Sequence, residues 1–370
     1  MRNTDSQKPR HGYTTGSCAT AATTAALMAL LTQQSQESVT ITLPSGACAG
    51  FLVEECELMP ESALCGVRKD AGDDPDVTNG MIVRSEVRFM RGLAHGDVLF
   101  LQGEGVGKVT LSGLGIPVGE PAVNPVPRRM ITGCVRALLK KYRVGGGVAV
   151  TLSVPGGKLV AKKTMNEKVG VVDGLSIIGT SGIVVPYSKE AYIESIRRAL
   201  QIASHNGCRE VAAVSGARSE KYLKKLLPDL PDMAFVHYGN RIGKTLEIIN
   251  ECQNFENVTT GVMLAKATKL AQGELDTSSR NVPVNRKFIA DLAEKAGYSS
   301  GTCRKILDVT LVRNVSGIVP FRKEEPLYRE LARACYRVCS CLVPEMQLTF
   351  VLMNIEGVCI TWNSLKDRSE

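Results

Sequence analysis

Four aspartates crowd into seven residues of the stretch "KDAGDDPDVTNG": Asp70, Asp73, Asp74 and Asp76, with Gly72, Pro75 and Gly80 bending the chain around them. Carboxylates that close must be solvated, protonated or countered by positive charge. The pattern therefore suits a general base, or a negative site for a sulfonium or metal ion, with a solvated surface loop as the plain alternative. A calcium loop of the helix-loop-helix type is excluded, because the twelfth position from Asp70 is Met81, where a bidentate Glu is required.

A second stretch, "HGYTTGSCATAATTAALMALL" from His11 to Leu31, sets Thr14, Thr15, Gly16 and Ser17 directly before a helix of small residues. A helix start exposes four N–H groups, of which Thr15 or Ser17 can cap only part. The remainder, together with the positive helix end, suits an anion. The alternative is a well-capped helix whose Ala19, Ala22, Ala25, Ala26 and Ala29 pack against a sheet.

Further candidates are basic. Arg128 and Arg129, after the stiff "NPVP", can grip carboxylates in bidentate fashion, and Lys162 and Lys163 in "AKKT" can supply charge, although exposed basic pairs are often simply solvated. The run "GEGVGKV", which contains Glu104, misses a phosphate loop by one residue of spacing and has Val109 where a hydroxyl is required, so it reads as a flexible loop approaching a ligand. Cys335, Cys339 and Cys341 fall on a predicted helix without a matching fourth ligand, and no protein-bound metal is expected. No H-E-x-x-H, nucleophile elbow or Ser-His-Asp pattern occurs; of four histidines, His11 abuts the opening turn and His237 precedes a strand-end glycine.

The elements that must position these residues divide in two, as 370 residues lead one to expect. Residues 1–188 read as an α+β domain: strands in "SVTITLPSG", "AGFLVEECEL", "MIVRSEVRFM" and "DVLFLQG", a helix through "RRMITGCVRALLKKY" with Pro127 at its first position, and a hairpin in "GGGVAVTLSVPGGKLVAKKT" turning at Pro155-Gly156. From 189 to 370 helix and strand alternate, which argues for an α/β, Rossmann-like, mostly parallel sheet, closed by a hairpin of "QLTFVLMN" and "GVCITWN". In such sheets ligands sit at the carboxyl ends of strands, here Ser215 to Arg218 and Gly239 to Gly243.

Composition narrows the partners. A net charge of +8 favours polycarboxylates, phosphates or nucleic acid, but 5% aromatic residues and no basic run of five argue against stacked nucleic acid. No apolar stretch has the form of a signal peptide or the length of a bilayer span, so the expectation is a cytoplasmic protein with no membrane partner and twelve reduced cysteines. Self-association into a homo-oligomer is compatible with the sequence.

Taken together, "GYTTGSCATAA", "KDAGDDPDVTNG", "GEGVGKVTLSGLGIPVGEPAVNPVPRRMI", "KVGVVDGLSIIGTSGIVVPYS", "YGNRIG" and "GELDTSSR" resemble, in this order, the CbiD family, over roughly His11 to Arg280. The resemblance implies methyl transfer from S-adenosylmethionine to C1 of cobalt-precorrin-5B, giving cobalt-precorrin-6A in anaerobic cobalamin biosynthesis. The cobalt would belong to the substrate. A corrinoid carries many acetate and propionate arms, which suits a basic protein. Few catalytic side chains are needed, because in-line displacement depends on alignment.

On that reading the first domain faces the corrinoid through Thr14, Thr15, Gly16, Ser17, Glu104, Arg128, Arg129, Lys162 and Lys163, with Asp73, Asp74 or Asp76 as base or counter-charge. The methyl donor is expected at strand ends of the second domain, at Gly179, Thr180, Ser181, Gly216, Arg218, Gly239 and Asn240, with the corrinoid between the domains. The glycine patterns of the common methyltransferase sheet and of other corrin-ring methyltransferases are absent from the sequence. Two rival readings are a small-molecule kinase of GHMP type, suggested by the Gly/Ser/Thr turn before a helix, and a non-catalytic corrinoid carrier.

Overall fold

Residues 9–278 and 285–364 are described by a computed structural model; Ser279 and Arg280 of "GELDTSSR", and the first eight residues, lie outside them. The chain divides into two compact units, residues 1–188 and 189–370.

In the first unit β1 (Gly12–Tyr13) leads into α1 (Thr15–Thr32). Strands β2 (Ser38–Thr42), β3 (Cys48–Leu52), β4 (Glu55–Leu58), β5 (Ser62–Arg68), β6 (Ile82–Met90), β7 (Val98–Gln102) and β8 (Lys108–Val109) follow. Then come α2 (Pro125–Tyr142), β9 (Gly147–Ser153), α3 (Gly157–Ala161), β10 (Val171–Val172) and β11 (Ile183–Val184). The main sheet has the order β4-β5-β6-β9-β7. All its pairs are antiparallel except β7 with β9, which run parallel because α2 carries the chain across between them.

Period-two patterning explains β6, whose Val83, Ser85 and Val87 point inward while the residues between them reach the surface. Against this face lies α1, buried on almost its whole circumference and packed on β5, β6 and α2. Small residues let it approach closely. Its buried threonines bond within the helix: Thr20, Thr23 and Thr24 each donate to the carbonyl four residues earlier at 2.8 Å. By length (18 residues) and mean hydropathy (1.2) α1 is apolar enough to cross a membrane, contrary to the expectation that no segment is, but 83% of it is buried here as a core helix.

Two local expectations are corrected. The first position of α2 is Pro125, after Asn124, and Pro127 is third, because the rigid φ of Pro125 already starts the turn. The anticipated hairpin around Pro155-Gly156 is half right. Gly156 takes φ +76 and Gly157 N–H donates to Val154 O at 2.8 Å, as a type II turn requires, but the chain then enters α3 instead of a second strand. Gly157 is packed against Gly105 too tightly for any Cβ, which fixes that exit.

The second unit runs α4 (Lys189–His205), β12 (Glu210–Val214), α5 (Ala217–Leu226), β13 (Phe235–His237), α6 (Ile242–Cys252), β14 (Asn257–Met263) and α7 (Leu264–Leu270). It continues with α8 (Arg286–Lys295), α9 (Ser300–Leu307), α10 (Pro326–Ser340), β15 (Gln347–Met353) and β16 (Cys359–Asn363). The sheet is mixed, in the order β13-β12-β14-β15-β16; β16 is the antiparallel edge. Strands buried on both faces, such as Val211 to Val214 and Val258 to Val262, read as continuous apolar or small runs. Helix α10 buries Leu327, Leu331, Cys335 and Cys339 at near-fourfold spacing into the core that also holds Tyr238 and Trp362. Each large side chain fully buried there contributes about 1.5–3 kcal/mol.

Candidate functional site

The turn before α1 is built from the inside. Thr14 is the cap: its Oγ1 accepts from Ser17 N at 3.2 Å. Gly16 N donates to Ile178 O at 2.8 Å, Thr15 Oγ1 donates to Ile178 O at 3.2 Å and accepts from Ile178 N at 2.9 Å, and Ser17 Oγ donates to Gly182 O at 2.7 Å. All four residues are buried. The expectation of spare N–H groups and hydroxyls is thereby corrected, since the segment 176–182 takes them. Gly179, Thr180 and Ser181 accordingly lie beside this turn in the first unit and not at strand ends of the second. Gly179 takes φ +147, and a Cβ there would stand 2.1 Å from Thr14 Oγ1.

The acidic loop folds over the same region as a strap. Asp70 makes a bidentate ion pair with Arg10, Arg10 N donates to Asp73 Oδ2 at 2.6 Å, and Tyr187 N donates to Asp74 Oδ1 at 3.1 Å. Asp76 is tied most firmly: Lys69 Nζ, its side chain 1% exposed, lies 2.7 Å from Oδ2, while Thr78 N and Oγ1 donate to Oδ1 at 2.8 and 2.6 Å. Burial pushes the Asp76 carboxyl up, but the bonds from Lys69 and Thr78 outweigh it and hold the group below the usual aspartate range. A carboxylate held ionised by a buried ammonium is a weak base. Asp73, exposed, and Asp74, half-buried, each accept one backbone bond and keep lone pairs for a ligand.

The two arginines separate. The Arg128 guanidinium donates to Val123 O at 2.8 Å and Pro121 O at 3.1 Å, pairs with Glu120 at 2.6 Å and covers the Phe100 ring at 4.8 Å, so it fastens the start of α2 to the preceding segment. Arg129 is exposed, as are Lys162 and Lys163 just after α3, and none of the three makes an ion pair among the described residues. The loop around Glu104, expected to be flexible, is pinned: Val154 N donates to Glu104 O at 2.7 Å, Val106 is 1% exposed, and a Cβ on Gly105 would meet Val154 O at 2.0 Å.

In the second unit, chain segments leave β12 and β14 in opposite directions, β12 leading outward to β13 and β14 lying on its other side. The carboxyl ends carry Ser215 and Gly216 after β12, and Gly239, Asn240 and Arg241 after β13. Gly216 starts α5, Arg218 in its first turn is exposed, and Asn240 O accepts from Thr277 N at 2.9 Å. Gly239 needs its φ of +60 and its lack of a side chain, since a Cβ would meet Tyr192 Oη at 2.7 Å.

Sequence reasoning passed over several charged groups gathered here. Glu220 of α5, 7% exposed, approaches His237 Nε2 at 2.5 Å and Lys224 Nζ at 3.1 Å. Arg241 pairs with Asp276 at 2.5 Å. Lys266 and Lys269 of α7 donate to Gly239 O and Thr277 O. The cues in the chain were His237 before a strand-end glycine and Arg241 within the strand end Gly239 to Gly243; the lysines sit in "LAKATKLAQG", where they read as an ordinary solvated helix face. The cysteines of α10 hold no metal geometry: Cys335 and Cys339 are buried, and no group of three or more metal-ligating side chains exists among the described residues.

Comparison with known proteins identifies the family of the sequence. Residues 2–186 match the model of the CbiD family and residues 276–364 that of the CbiD C-terminal domain. A cobalt-precorrin-5B C(1)-methyltransferase of Prosthecochloris aestuarii is 55% identical over 351 residues, 95% of each chain. Proteins of the same name from Priestia megaterium and Thermus thermophilus are 41% and 42% identical, over 89% and 83% of both chains. The crystal structure of a cobalamin biosynthesis protein (CbiD) from Archaeoglobus fulgidus is 29% identical, covering 74% of this chain and 84% of that one, with a TM-score of 0.40. Matched by the family model over residues 2–186 and by a relative 55% identical over 95% of its length, the chain belongs to the CbiD family.

Proposed function

We propose that the chain is a methyltransferase that moves a methyl group from S-adenosylmethionine to C1 of cobalt-precorrin-5B, giving cobalt-precorrin-6A in cobalamin biosynthesis. The single observation that carries this reading is the 55% identity over 95% of both chains to a relative named for that reaction. The working location is the cytoplasm, with the corrinoid, whose cobalt is part of the substrate, as the small-molecule partner.

The donor supplies an electrophilic methyl on a sulfonium; its site is proposed in the second unit, read as Rossmann-like, where segments leaving β12 and β14 part and open a crevice at the carboxyl ends of the strands. The residues there fit such a guest: Gly216, with open space where a Cβ would stand, allows close approach to its backbone, Gly239 leaves room for the Tyr192 ring, Asn240 and Ser215 offer polar atoms, and Arg218 is exposed. Gly179, Thr180 and Ser181 leave this group, and belong instead to the support of the opening turn.

The corrinoid is proposed to dock on the first unit through Arg129, Lys162 and Lys163, exposed cations that match its carboxylate arms. Asp73 or Asp74 then serves as base or counter-charge, and Asp76 as the group that holds the strap in place. Thr14, Thr15, Gly16, Ser17, Glu104 and Arg128 shape the surface from beneath. Catalysis on this scheme comes from alignment of donor and acceptor. The test is incubation with methyl-labelled S-adenosylmethionine and cobalt-precorrin-5B: label must appear at C1 of the ring, and a chain that leaves all label on the donor refutes the proposal.

A further inference from the structure

Lys266 and Lys269 stand three residues apart on α7, directly after β14, a spacing that places both on one helix face. The Lys266 ammonium, half-buried, donates to Gly239 O at the end of β13 and lies 5.7 Å from the centre of the Tyr238 ring. The Lys269 ammonium, 3% exposed, donates to Thr277 O at 3.3 Å, and Thr277 N donates in turn to Asn240 O at 2.9 Å. Two separate chain segments thus converge on the two cations.

An ammonium has three donors, and each of these uses one, on a neutral carbonyl. Among the described residues neither lysine forms an ion pair. Lys69, buried as deeply as Lys269, shows the usual arrangement, with Asp76 at 2.7 Å. Asp276 is bound to Arg241 and, like Glu274, acts on Lys269 only through space. Burial, reinforced for Lys266 by the neighbouring Lys269, pulls both amines down from their ordinary values, the mark of cations in surroundings that would gain from an anion.

We infer that Lys266, with Lys269 behind it, is the receptor for the α-carboxylate of the methyl donor's amino-acid portion. The inference rests on the donor site proposed above and names its recognition group. A carboxylate arm of the corrinoid has the same chemistry, so the test is run without the ring. Binding of S-adenosylhomocysteine is compared by calorimetry with that of 5′-methylthioadenosine, which keeps the adenosine and thioether but lacks the amino acid.

The unsubstituted chain is expected to bind the first ligand more tightly. Lys266→Met is expected to weaken S-adenosylhomocysteine at least tenfold and leave methylthioadenosine unchanged, and Lys266→Arg to recover most of the loss. Lys266→Gln keeps a donor to Gly239 O and serves if the methionine variant does not fold. Equal weakening of both ligands, or no change in either, overturns the inference while the donor site stands. In a separate titration with the corrinoid alone, a loss confined to corrinoid affinity also overturns it and assigns the lysines to a substrate arm. An unsubstituted chain that binds neither ligand overturns the donor site and the inference together.

Discussion

Replacing Asp76 by Asn strips the buried Lys69 ammonium of its counter-charge while keeping an oxygen for Thr78. The side chains are 1% exposed at Lys69 and 26% at Asp76, with 2.7 Å between nitrogen and oxygen. Removing one partner of a buried pair costs about 3–5 kcal/mol, and the partial exposure of Asp76 argues for the lower end, about 3 kcal/mol. For a unit of this size about 2–4 °C accompanies each kcal/mol, so the first unit should unfold about 6–12 °C lower.

The pH dependence has a definite sign. The Asp76 carboxyl is held below its ordinary value of 3.8 in the folded chain, so its contribution is complete above that value and is lost as pH falls through the folded one. The gap between the parent and Asp76→Asn should therefore be full near neutrality and close in acid, below about pH 4. The assay is thermal unfolding, with hydrogen exchange in β5 and β6 assigning the transition to the first unit. Lys69→Met in the Asp76→Asn background should recover most of the loss, because no unpaired charge then remains inside. An Asp76→Asn protein as stable as the parent, or a double variant whose losses simply add, refutes the reasoning.

Other residues make narrower claims. Arg128→Met should lower the melting temperature by several degrees, through loss of the Glu120 pair and two carbonyl bonds, whereas Arg129→Met should leave it unchanged and raise the KM for the corrinoid; equal thermal effects would contradict the division. Gly179→Ala, forced against Thr14 at a φ of +147, should destabilise by about 1–3 kcal/mol in a denaturant titration, and a neutral result would mean the turn is looser than described. Under native conditions a thiol reagent should modify exposed Cys48 and Cys341 first and spare buried Cys335 and Cys339, whose thiols burial pushes up; early labelling of Cys339, read by peptide mass, would count against the α10 packing.

Much of this protein is written in local pattern. Alternation in "MIVRSEVRFM", the continuous apolar run of "REVAAVSG" and the Pro155-Gly156 turn announce their conformations because each depends on nearest neighbours along the chain. The change of rhythm after residue 188 announces the parallel strands for the same reason, and the ordered motifs announce the family. Side-chain partners that no helical or strand period brings together, whether near or far along the chain, are another matter. Thr15 and Ser17 look like ligand hydroxyls until Ile178 and Gly182, 163 and 165 positions further along, meet them, and Arg128 looks free until the fold returns Glu120 and the carbonyls before α2 to its guanidinium. Likewise Asp76 is one of four equal aspartates in the chain, and only burial of Lys69 beneath the strap separates it from Asp74. Local preference is additive along a sequence, whereas the state of a charge or a hydroxyl depends on what the tertiary structure brings within 3 Å of it and on how much water it removes.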